Sequence, residues 1–130
     1  MPTMLGSVAE DGSEPLLPLG LLASMENATG SEEEVEAVID TGFDGELTLP
    51  SGTIRRLGYP YAGSAGGTLA DGNEVQFDYH EGRVLWHGTA RPVAVIAAEG
   101  QPLVGMALLR GSRLTMEAVP GGGVLIQDMT

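Results

Sequence analysis

Glycine limits this chain more than any other residue: there are 20 among its 130 positions. They punctuate short apolar runs. A sequence broken every few residues suits many short strands joined by tight turns better than long amphipathic helices. At this length one domain is expected, large enough to bury about two-thirds of its unfolded surface without disulfide staples. The predicted organisation is a loose amino-terminal segment over residues 1–15, poor in periodicity, and a single all-β domain over 16–130.

Within the domain, Leu16 to Ala23 reads as a first strand, placed at an edge by Pro18. Asn27 to Glu34 reads as a turn, with the acids of Glu32-Glu33-Glu34 solvated, and Val35 to Ile39 as a strand. Ser51 is suited to cap a short helix carrying Ile54 and Leu57 and stopped by Gly58. Gly67 to Val75 reads as a hairpin turning at Asp71-Gly72. Further strands are predicted over Glu74–Tyr79, Arg83–Trp86 and Arg91–Ala97. Met106 to Arg110 reads as an apolar helical turn with Arg110 at its negative end. Leu114–Val119 and Val124–Gln127 flank a last hairpin turn at Pro120 to Gly123.

Composition removes several chemistries. There is no cysteine, which excludes disulfides, thiolate metal sites and a thiol nucleophile. There is no lysine either, so neither a phosphate loop ending in Gly-Lys nor a Schiff-base enzyme is possible. The net charge is −12, and the first basic residue is Arg55. Polyphosphate and anionic membrane surfaces would repel such a chain, so neither nucleic acid nor membrane is an expected partner. A secretory leader starts with basic residues, and the longest apolar stretch, Leu16 to Met25, is too short to span a bilayer. A cytoplasmic location is expected.

One stretch stands out chemically. In Ala37-Val38-Ile39-Asp40-Thr41-Gly42, an apolar strand runs directly into an acid, a hydroxyl and a glycine. A carboxyl at the end of a buried strand is costly unless protonated or paired. The tripeptide alone is equally the chemistry of a β-turn. With its context it resembles the catalytic loop of the single-domain, retropepsin-like aspartic proteases. That family follows a hydrophobic-hydrophobic-Asp-Thr/Ser-Gly loop with a later hydrophobic-hydrophobic-Gly and a short helix, and Leu103-Val104-Gly105-Met106 to Leu109 supplies the second motif. Glu46 to Pro50 is similar to the strand after the loop, and Gly63 to Gly72 to the flap hairpin. The similarity runs from about Leu16 to Ile126.

The resemblance implies a closed, acid-protease-like β-barrel with one or two short helices, paired as a two-fold homodimer. It implies an endopeptidase acting on peptides or unfolded protein, with Asp40 of each copy forming a dyad and no cofactor or metal. Thr41 would bridge the dimer axis and Gly42 would let substrate approach. Asp44, the flap residues Ala65, Gly66, Gly67 and Thr68, and Leu103 would bind substrate. Phe43 stands where the family has a small residue. Met106 stands where viral members carry an arginine paired with an acid near the loop, for which Asp44 and Arg110 are the substitute candidates. The alternative is a peptide-binding module that keeps the fold without turnover. Self-processing within the first residues is a third reading. His80 and His87 read as surface or hydrogen-bonded residues, without a third metal ligand.

Overall fold

A computed structural model of the chain describes residues 2–25 and 32–129. In chain order its elements are β1 (Thr3–Val8), β2 (Pro15–Leu22), β3 (Glu32–Ile39), β4 (Leu47–Leu49), α1 (Ser51–Leu57) and β5 (Tyr61–Thr68). β6 (Glu74–Trp86), β7 (Thr89–Ala97), β8 (Leu103–Val104), α2 (Met106–Leu109), β9 (Ser112–Met116) and β10 (Gly123–Asp128) complete the chain. The ten strands form one sheet in the order β5-β6-β7-β4-β8-β3-β2-β1-β10-β9, and β2 also pairs with β6. The all-β class with two short helices therefore holds. Leu21 and Leu22 of β2 meet Val84 and Arg83 of β6, which draws distant parts of the sheet together.

Alternation builds the core. Leu17, Leu19 and Leu21 of β2 are fully buried while Pro18 between them is exposed, the period of a strand with one face inward. Ile39, Leu47, Leu49, Val95, Val104 and Leu108 join them in the same cluster. Each fully buried side chain of this size contributes about 1.5–3 kcal/mol. β4 is buried on both faces, and its one polar member is satisfied because Thr48 Oγ1 accepts the Leu103 N–H at 2.9 Å. Among the described residues no helix is long and apolar enough to cross a membrane.

Several expectations are corrected. The loose segment over residues 1–15 contains β1, which pairs with β10 from Thr3↔Gln127 to Ser7↔Gly123 and with the start of β2. Its Gly6 lies so close to β2 that a Cβ would sit 2.1 Å from the Leu16 carbonyl oxygen. Gly6 there reflects close strand contact, whereas Gly12, at φ 74°, and Ser13 form the turn between β1 and β2. Pro18 lies in an interior strand, yet the partners of β2 in β1 stop at Leu16 and those in β6 begin at Leu21. Its missing N–H falls in that gap.

The expected turn from Asn27 to Glu34 lies partly outside the described residues; Glu32, Glu33 and Glu34 belong to β3, opposite Leu22, Leu21 and Gly20. The two strands expected over Glu74–Tyr79 and Arg83–Trp86 are one 13-residue strand. Gly82 interrupts the pattern because Tyr59 packs on it: a Cβ there would meet the Tyr59 ring at 2.9 Å. Ser51 is not the cap of α1. Pro50 holds that position, and Ser51 Oγ instead donates to Glu99 Oε1 at 2.5 Å. Gly58 ends the helix as expected, at φ 73°.

Candidate active site

The Asp40 loop begins where β3 meets β8. The two-residue β8 pairs in parallel with β3, Val38↔Leu103 and Ile39↔Val104. It pairs antiparallel with β4, Leu47↔Val104 and Thr48↔Leu103. The end of β3 is thus held within the sheet up to Asp40, whose N–H donates to the Val104 carbonyl at 2.9 Å. Past that point the chain turns outward. Asp40 is half-buried, while Thr41, Gly42 and Asp44 are exposed.

The carboxylate is oriented locally. The Gly42 N–H donates to Asp40 Oδ1 at 2.9 Å, and the Phe43 N–H donates to the Asp40 carbonyl at 3.1 Å. This is the turn chemistry that Asp before a glycine offers. It fixes one carboxylate oxygen and leaves the other clear of that bond.

The second motif locks the far side of the loop. The N–H groups of Gly105, Met106 and Ala107 donate to the carbonyls of Glu46, Phe43 and Gly45 at 3.0, 2.8 and 3.1 Å. The first N–H groups of a helix have no partner within it, and here the loop supplies them. Gly105 is obligatory at this contact, since a Cβ would lie 2.2 Å from the Gly45 oxygen and 2.5 Å from the Phe43 ring. Phe43 lies across Gly45 and Gly105, with its ring edge 2.6 Å from where a Gly45 Cβ would stand.

Asp40, Thr41, Gly42, Asp44 and Leu103 are therefore brought to one end of the sheet. Thr41, Met106, Leu109, Arg110 and Leu114 line a cavity of about 360 Å³ beside the loop. Ala65, Gly66, Gly67 and Thr68 lie within β5, opposite Phe77, Gln76, Val75 and Glu74, and the hairpin tip is Leu69 to Asn73. A larger cavity, about 620 Å³, lies against β6 and β7 and is lined by Tyr79, Glu81, Arg83, Pro92 and Ala94, with Glu46 but not Asp40. His87 turns the β6–β7 hairpin at φ 52°, and its Nε2 lies 2.9 Å from Ser112 Oγ. His80 packs edge-on against Tyr61.

Asp44 and Arg110, the candidate substitutes for the viral arginine–acid pair, do not form an ion pair: the pairs among the described residues are Arg56–Glu33 and Arg91–Glu46. Nothing in the sequence around Arg91 marks it as a partner of an acid. It stands on β7, 45 residues from its acid, and an arginine alternating with apolar residues in a strand carries no local signal of a distant partner.

This arrangement is the retropepsin-like fold. A crystal structure of a retropepsin-like aspartic protease from Rickettsia conorii superposes on it with a TM-score of 0.57 at 12% identity, covering 95% of this chain and 88% of that one. No family model and no curated protein sequence matches the chain.

Proposed function

We propose that the protein is an aspartic endopeptidase working as a two-fold homodimer, each copy a barrel drawn shut by the β2–β6 pairing. The observation that carries this reading is the seating of Asp40: a half-buried carboxyl at a strand end, oriented by the Gly42 N–H, on a loop locked to the Val104-Gly105 segment and α2. The likeness in fold to a known protease of this type supports it.

In the dimer the two Asp40 carboxyls face each other, and two like charges at contact do not both ionise, so they hold one proton between them. The ionised carboxyl takes a proton from a bound water as the water oxygen attacks the peptide carbonyl carbon. The protonated one donates to the carbonyl oxygen. A proton then passes to the amide nitrogen, the C–N bond breaks, and the products are an acid and an amine. Thr41 holds the two loops together across the axis. Gly42, Asp44, Leu103 and the β5 segment Ala65-Gly66-Gly67-Thr68 receive the substrate. A single copy supplies only one wall of such a cleft.

Asp40→Asn is expected to abolish cleavage of an unstructured peptide, a loss on the order of 10⁴-fold or more, while circular dichroism and dimer mass stay unchanged. Cleavage that survives the replacement removes Asp40 from the mechanism. One observation favours a second reading, a binding module without turnover: the Phe43 ring fills space beside the loop. Under that reading parent and Asp40→Asn bind the same peptide equally and neither cuts it.

A further inference from the structure

We propose that Arg91 and Glu46 are a positioning pair that holds the Asp40 loop against α2, a role that rests on the protease reading above. α2 is a four-residue turn, far too short to hold its own shape. Its amide end is tied to the loop carbonyls of Phe43, Gly45 and Glu46, so any slack in α2 passes directly to the Asp40 loop.

Its carbonyl end is tied by Arg91. Nη1 donates to the Leu108 carbonyl at 3.2 Å and Nη2 to the Ala107 carbonyl at 3.4 Å. Nη2 also meets Glu46 Oε2 at 3.3 Å, and Glu46 Oε1 accepts the Ala94 N–H at 2.9 Å. One guanidinium therefore joins β7, the end of the loop and α2. Lysine could supply the charge, but only a planar fork with five donors spans a carboxylate and two carbonyls at once. The two side chains are 32% and 24% exposed, against 60% and 35% for Arg56 and Glu33, so water weakens the Arg91 pair less. Arg110, nearer in sequence, is exposed and forms no ion pair among the described residues.

The experiment compares kcat and KM for peptide cleavage in the parent, Arg91→Met, Arg91→Lys and Arg56→Met, each assayed well below its melting temperature. A catalytic group misplaced by about 1 Å loses on the order of 100-fold in rate. Arg91→Met should lower kcat by about 10- to 100-fold with KM within about twofold, and Arg91→Lys should recover part of kcat. Arg56→Met breaks the other pair and should leave kcat unchanged. If Arg91→Met keeps the parental kcat while melting earlier, the pair is merely structural and the proposal is overturned.

Should the parent cut no peptide, the protease reading fails by itself, and amide hydrogen exchange at Gly42, Phe43 and Met106 decides about the pair. Faster exchange there in Arg91→Met but not in Arg56→Met supports the joint. Equal exchange in both refutes it.

Discussion

Gly105 shows how little room surrounds the Asp40 loop. Its missing side chain lets the Gly45 carbonyl and the Phe43 ring approach to distances no Cβ tolerates, and its N–H completes the bond to Glu46. Gly105→Ala must push the loop and α2 apart, with an expected cost of about 1–3 kcal/mol or more in a urea or thermal melt. If the loop carries the chemistry, peptide cleavage should fall further than the lost stability explains. A melt within a few tenths of a kcal/mol of the parent would show that the contact gives way easily. At the same scale, Asp40 and Gly42 differ from an ordinary Asx turn only in what surrounds them.

Among the elements, α1 is joined to the sheet by Tyr59. Its hydroxyl lies 2.6 Å from the Leu22 carbonyl and 2.8 Å from the Arg83 carbonyl, bridging β2 and β6 near their mutual pairing. Burial pushes the phenol above its ordinary value, with Arg83 opposing. The folded state thus keeps this proton to higher pH than the unfolded chain does. The stabilisation is complete below about pH 10 and is lost as pH rises through the folded value. Tyr59→Phe should cost about 1–3 kcal/mol at neutral pH and remove this part of the alkaline decline. Denaturant midpoints between about pH 8 and 11 check both. An equal alkaline slope in the variant would assign the decline to other groups. The opposite sign applies to Glu99. Its hydrogen bond from Ser51 holds the carboxyl below its ordinary value, so that contribution exists above the ordinary value and fades as pH falls through the lowered one.

For the molecule as a whole, net charge bears on the proposed dimer. Each copy carries −12, so bringing two together places about twice that on one particle. The proposed dimer should tighten as pH drops from 7 towards 5 and carboxylates begin to take up protons, and added salt at pH 7 should act in the same direction by screening. Sedimentation equilibrium across both series measures this. Dimerisation that weakens in acid would mean that carboxylates join the copies through cations instead of repelling them. If the proposed dyad carries the chemistry, peptide cleavage should follow the dimer fraction, since one Asp40 alone cannot be both acid and base.

What the sequence by itself determined is local. Strand alternation in Leu17 to Leu21, the turn at Asp71-Gly72, the left-handed stop at Gly58 and the two motifs around Asp40 and Gly105 all act over a few residues, and each forms where its chemistry lies. The tertiary structure decided whatever depends on a distant neighbour. Gly6 marks a crossing with β2, and Gly82 marks the place where Tyr59 packs. Ser51 turns from its own helix to Glu99, and Arg91, not Arg110, meets an acid beside the loop. A glycine or an arginine carries the same intrinsic preferences wherever it stands. Which backbone crowds it or which carboxylate lies within reach is settled only when segments tens of residues apart are packed together.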